Sequence, residues 1–177
     1  MAIFPAKGAW WNEPVEKSEV LWVSIAFLWA MIMFFMMPYW HFAGKQNLSN
    51  EAYKTTTEDY VAKTESFAEK YAVREDEASG IPVVAPPAGS DVYILGRTFE
   101  WWPILELEQD KSYRFHISSA DYMHGFSLLP ENINLQIIPN YEMVLTVTPT
   151  SSGEFSIVCN EFCGIGHHTM LGKIFVK

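Results

Sequence analysis

The sequence predicts a mainly β domain, a small Greek-key sandwich or barrel, carried on a single N-terminal transmembrane helix. Three observations lead there. Val20 to Phe42 contains no Asp, Glu, Lys or Arg, and from Asp91 onward apolar residues recur with a period of two. The length, 177 residues, suits one modest domain plus an appendage.

A short N-terminus, residues 1–19, precedes the apolar run "VLWVSIAFLWAMIMFFMMPYWHF" of residues 20–42. At the helical rise this run reaches about 34 Å, enough to cross a bilayer core. Trp10, Trp11 and Trp22 lie at or before one end, and Tyr39 and Trp40 at the other, where interfacial aromatics belong. A cleaved signal peptide would have a shorter apolar core, net positive charge before it and small residues after it. "KSEVLW" and "MPYWHF" supply neither flank, so the run reads as a retained anchor. Lys7 and Lys17 precede it and Lys45 and Lys54 follow it, so basic residues alone do not set its orientation.

Beyond residue 45 stand 9 basic and 18 acidic residues, which places the whole net charge of −9 on that part. Such a surface disfavours nucleic acid. It suits a basic protein partner, and ordinary solubility accounts for it equally well.

Residues 43–90 read as a connector. "NLSNEAYKTTTEDYVAKTESFAEKYAVREDEASG" predicts one polar amphipathic helix with Tyr53, Tyr60, Phe67 and Tyr71 near one face. Ser49 or Asn50 caps its start and Gly80 ends it. "IPVVAPPAG", with Pro82, Pro86 and Pro87, then stiffens the approach to the last region.

Residues 91–177 form the β domain. "VYILG", "ILELE", "YRFHIS", "INLQII", "EMVLTVT", "GEFSIV" and "GKIFV" are short runs rich in Val, Ile, Leu and aromatics. "EQDK", "IPNY" and "PTSSGE" are turn signals between them. In "YRFHIS" the apolar Tyr113, Phe115 and Ile117 alternate with Arg114, His116 and Ser118, which puts His116 on a solvent-facing side. No internal repeat is visible.

The chemistry concentrates in "CNEFCGIGHHTM", residues 159–170, which holds both cysteines, two of the five histidines and a methionine. A disulfide between Cys159 and Cys163 would suit an oxidising compartment, but leaves His167 and Met170 without a purpose. Zinc rarely recruits Met, and Cys-x3-Cys is not its usual spacing. Thioether, thiolate and imidazole together select copper. A blue-copper site uses one Cys, two His and an axial Met; the second Cys here suits two copper ions bridged by sulfur. A further imidazole is then needed, and "ADYMHGFSL" offers His124 between two predicted strands. Loops at one end of a sandwich can converge on a metal.

Cys159-x-Glu161-x-Cys163-x3-His167-x2-Met170, with Asp121-x2-His124 upstream, resembles the binuclear copper (CuA) signature of cytochrome c oxidase subunit II. The likeness spans the anchor and residues 91–177, and the single span resembles the single-helix, ba-type branch. It implies a cupredoxin-like fold. It also implies that Cys159 and Cys163 bridge two coppers, that His124 and His167 each bind one, and that Met170 and the Glu161 carbonyl are weak outer ligands. In relatives an acid at the Glu161 position reaches a magnesium ion at the interface with subunit I. Family spacing selects His167 over the adjacent His168; His116 and His41 read as solvent-facing and interfacial. Asp121 orients a ligand through a hydrogen bond or simply begins a turn. Relatives carry an aromatic cluster near "RTFEWWP" whose ring receives the electron. Trp101 and Trp102 are the candidates, and core packing explains a Trp pair as well.

The resemblance further implies an electron-accepting subunit of a respiratory terminal oxidase in a bacterial or archaeal plasma membrane, its copper domain on the outer face. It would take electrons from cytochrome c or a small copper protein and pass them to a haem in subunit I, where oxygen is reduced and protons are translocated. Further small subunits are expected partners. The alternatives are the CuA subunit of a nitric oxide reductase and a membrane-anchored copper carrier. This chain has no Cys-x2-Cys-His haem pair and no phosphate loop, so the oxygen chemistry belongs to a partner.

Overall fold

The computed structural model describes Gly8 and residues 14–43 and 51–177. Trp10, Trp11, Lys7, Lys45, Ser49 and Asn50 lie outside the described residues. The chain divides into two compact units, Met1–Gln46 and Asn47–Lys177.

The first unit contains helix α1, Lys17–Ala43. Its apolar window has a mean hydropathy of 2.3 and no residue of the helix is buried, so by length and composition it can cross a membrane. Glu19 in the first turn complements the helix dipole. Pro38 removes one backbone donor near the C-terminal end.

The second unit is a two-sheet β structure. It comprises β1 Glu51–Lys54, α2 Thr57–Tyr71, β2 Ala72–Glu75, β3 Pro82–Val84, β4 Asp91–Arg97, β5 Glu100–Trp102 and β6 Ile104–Leu107. Then follow β7 Tyr113–Ser119, β8 His124–Leu129, β9 Ile133–Ile137, β10 Tyr141–Val147, β11 Gly153–Cys159 and β12 Leu171–Val176. One sheet runs β1-β10-β7-β4-β5 and the other β2-β3-β6-β12-β11-β8-β9. The pairs β4–β7, β3–β6 and β6–β12 are parallel and the other ladders antiparallel, the mark of long crossovers between sheets. Between the sheets lies a core that includes Val92, Ile94, Leu105, Phe115, Ile117, Phe126, Leu128, Phe155, Ile157 and Ile174. The mainly β expectation holds.

The expected single helix over 47–80 is corrected. Tyr53 stands on β1, which pairs with β10 through Glu51↔Val144 and Lys54↔Tyr141. The helix starts only after Thr56, whose side chain accepts a hydrogen bond from the Asp59 backbone N–H at 3.2 Å. It ends at Tyr71, and β2 then pairs with β3. Tyr60, Thr64, Phe67 and Ala68 form the buried stripe, at helical spacing. Tyr60 is fully buried, and its hydroxyl donates to the carbonyls of Ile94 (3.0 Å) and His116 (2.7 Å), pinning α2 to β4 and β7. Residues 51–90 thus build part of the β unit.

His116 is also corrected, since it is buried at 7% exposure. β7 sits inside its sheet between β4 and β10, with α2 fixed above it, so the nominally polar side of this strand is covered too. The imidazole lies between carboxylates, Nδ1 against Glu142 and Nε2 3.1 Å from Asp91 Oδ1, and stacks on Tyr93 at 4.8 Å. Buried polar groups need such partners.

Candidate metal centre

Three strand ends meet at one end of the seven-stranded sheet. His124 is the first residue of β8, Cys159 the last of β11, and Met170 immediately precedes β12. The ladders fix this convergence: Cys159 stands opposite Phe126, Val158 opposite Leu171, and the Cys159 backbone N–H donates to the Met170 carbonyl at 3.2 Å. Loop 160–169 carries Cys163 and His167. It is tied down where the Asn160 N–H donates to the Gly125 carbonyl (3.2 Å), and it closes through a 3₁₀ turn over His167–Thr169. His124, placed in a loop by the sequence reading, instead opens a strand. Gly125 beside it permits a close approach, because a Cβ there would lie 2.9 Å from the Glu161 backbone nitrogen and run into the Asn160 side chain.

The six expected donors come together. The Cys159 and Cys163 sulfurs are 3.7 Å apart and both thiols are free. His124 Nδ1 lies 3.9 Å from Cys159 Sγ, and His167 Nδ1 3.6 Å from Cys163 Sγ. Met170 Sδ is 3.7 Å from Cys163 Sγ, and the Glu161 carbonyl oxygen 3.2 Å from Cys159 Sγ. A ring nitrogen of His124 and the two thiols fall within 4.8 Å of one another. His124, Cys159, Cys163 and Met170 are buried, His167 is half-buried, and the Glu161 and His168 side chains are exposed.

Asp121 lies in a bend just before His124. Its Oδ1 accepts from the Tyr122 N–H at 2.6 Å and lies 2.7 Å from His124 Nε2. An Nε2–H donating there leaves the Nδ1 lone pair facing the sulfurs, the tautomer a metal ligand requires. Burial raises the Asp121 carboxyl, but hydrogen bonds from Thr98, His124 and the Tyr122 N–H outweigh it and hold the group at about 2. Burial, and then the neighbouring Cys159 sulfur, push the Cys163 thiol up to about 11. The Cys163 thiol therefore favours its proton until a cation replaces it.

Trp101 is 1% exposed, edge-on to His124 (6.2 Å) and Phe126 (5.3 Å). It is core as well as neighbour to the site, and reaches no outer surface. Trp102 is half-buried under the Arg97 guanidinium, 5.5 Å from its ring centroid. Phe99 packs on the 160–169 loop, since a Cβ on Gly164 would sit 3.3 Å from its ring. The sequence signal for that contact was the Gly-x-Gly inside the cysteine motif, a sign of close approach not used in the reading.

A β sandwich presenting thiols, imidazoles and a thioether at one end, with a separate apolar helix, defines a helix-bearing, cupredoxin-like protein with a candidate soft-metal site. Sequence comparison identifies the relatives. The chain is related to cytochrome c oxidase subunit 2 of Thermus thermophilus, 38% identical over 87 residues, 49% of this chain and 64% of that protein. No family model matches the chain. Among solved structures, a chain of a haem-copper terminal oxidase dimer matches at TM-score 0.57, 20% identical, over 91% of this chain and all of that one. A rusticyanin variant matches at TM-score 0.52, 19% identical, over 73% of this chain and all of its own. At these identities the structural likeness is one of fold.

Proposed function

We propose that this chain is the electron-accepting subunit of a haem-copper terminal oxidase, anchored by α1 with its β unit on the outer face of the membrane. The convergence of four further donors on one pair of free thiols carries this reading. A mononuclear site uses one thiolate, whereas two thiolates flanked by one imidazole each suit two copper ions. Cys159 and Cys163 would hold both ions, His124 and His167 one each, with Met170 and the Glu161 carbonyl as weak outer donors. Such a pair, when bound, supplies a one-electron carrier whose charge is shared over two metals.

The protein's own part is rigidity and access. Strand ends fix three of the donors and Asp121 fixes the His124 ring, so the donor set is preorganised. Exposed apolar side chains flank the ligands: Tyr122 and Met123 beside His124, Phe162 beside Cys163, and Ile165 between Cys163 and His167. They offer a partner protein a contact surface over the centre. Electrons arrive from cytochrome c or a small copper protein and leave for a haem in subunit I. Oxygen reduction and proton translocation take place in that partner. The relationship to cytochrome c oxidase subunit 2 supports this assignment.

Purification of the tagged chain from its native membrane tests the reading. The expected product contains copper, a haem-bearing subunit and oxygen uptake driven by a reduced donor. A product with no haem-bearing partner contradicts it, and one that reduces nitric oxide but not oxygen changes the acceptor.

A further inference from the structure

We propose that Thr98 and Phe99, at the turn between β4 and β5, are positioning residues for the metal centre, one acting on each ligand loop. The inference rests on the functional reading above. β-Ladders hold Cys159, His124 and Met170 close to strand ends, but Cys163 and His167 belong to a loop that joins no ladder among the described residues. The Asn160 tie to Gly125 anchors only the start of that loop, and the Asp121 carboxylate that grips the His124 ring needs holding in its turn.

The β4–β5 turn reaches both. The Thr98 backbone N–H donates to Asp121 Oδ2 at 2.6 Å, and its hydroxyl donates to the same oxygen. The other Asp121 oxygen is the one that faces His124 Nε2, at 2.7 Å. With both oxygens engaged, the carboxylate cannot rotate freely, and the imidazole it grips keeps Nδ1 toward the sulfurs. One residue further on, the Phe99 ring lies against the backbone between Cys163 and His167. A Cβ at Gly166 would run into this ring, and one at Gly164 would lie 3.3 Å from it. Gly166 has a φ of −88°, open to any residue, so it is the ring and not the backbone that excludes a side chain there. Phe99 therefore forms one wall of the loop's seat. Neither residue touches a sulfur or an imidazole nitrogen in the hydrogen-bond geometry, so both act through other groups.

The full chain in detergent, loaded with copper, provides the test. Copper loss to a chelator and the electron paramagnetic resonance spectrum are compared in Thr98→Val, Thr98→Ser, Phe99→Leu, Gly166→Ala and the double variant Gly166→Ala with Phe99→Ala. Thr98→Val and Phe99→Leu should release copper about tenfold faster, the lower end of what loss of a ligand-orienting partner costs, and should alter the hyperfine pattern. Thr98→Ser should behave as wild type. Gly166→Ala should disturb the spectrum, and adding Phe99→Ala should recover part of it. Wild-type retention and spectrum in both Thr98→Val and Phe99→Leu would overturn the proposal. So would a lowered melting temperature of the copper-free variants with an unchanged spectrum, which marks packing alone. A wild-type chain that takes up no copper would instead overturn the functional reading beneath it.

Discussion

Cys159 and Cys163 face each other across 3.7 Å, each with its own imidazole, and this pairing is what distinguishes the site from a one-thiolate centre. On the proposed two-copper reading, Cys159→Ser or Cys163→Ser should abolish the spectrum of an electron shared between two coppers, because one thiolate alone no longer supplies the donor set for two ions. On the same reading, Met170→Leu should keep copper bound and shift its potential, as a weak thioether donor would tune rather than anchor the metal. His168→Ala should leave the spectrum intact, the side chain being exposed while His167 turns toward Cys163. The crowding of sulfur, imidazole and thioether into residues 159–170 made a candidate cluster legible in the sequence, whereas the choice of His167 over His168 and the Glu161 carbonyl came from the family resemblance. His116 was not readable in the same way. Alternation marks it as the polar side of a strand, and only the tertiary arrangement brings α2, Asp91 and Glu142 over it.

Among the elements, α2 ties the N-terminal part of the β unit to the rest. Tyr60→Phe would remove a hydroxyl that serves two backbone carbonyls in the core, at a cost of about 1–2 kcal/mol. Denaturant unfolding of the metal-free chain measures this, and the metal spectrum should not change. A fragment beginning at residue 80 would lack β1, α2 and β2, exposing the β10 edge and the core surface that Phe67 and Ala68 cover. It should aggregate, whereas one beginning at Glu51 should stay soluble; size-exclusion chromatography separates the outcomes. Several strands were legible because alternation and turn residues frame them. β8 was not, because five of its six residues, His124 to Leu128, are buried, which erases the period of two. The helix was overextended because Tyr53 falls in phase with Tyr60 and Phe67, although Thr55, Thr56 and Thr57 form a β-branched run that favours a break and a cap.

At the scale of the whole molecule, charge separates as the sequence shows, with a neutral span region and all the net −9 beyond residue 45. Some of those acids are structural. A hydrogen bond from Lys173 and others from Ser79 hold the Asp76 carboxyl at about 2, tying β12 to the turn after β2. For Glu106, burial acts upward, but Lys177 and Arg74 outweigh it and lower the group. Both carboxyls lie below the ordinary range in the folded state. Their contribution is therefore complete above the unfolded value of about 4 and is lost as pH falls below it, towards about 2 for Asp76. The melting temperature of the metal-free chain should drop across that window, and Asp76→Asn should flatten part of the drop. A curve unchanged by the substitution would show that the ion pair adds nothing to stability.

The most direct measurement is a copper count on the purified full-length chain together with its electron paramagnetic resonance spectrum. Two coppers per chain and a single unpaired electron coupled equally to both nuclei are the predicted result. One copper per chain, or a spectrum from an electron confined to one nucleus, would contradict it.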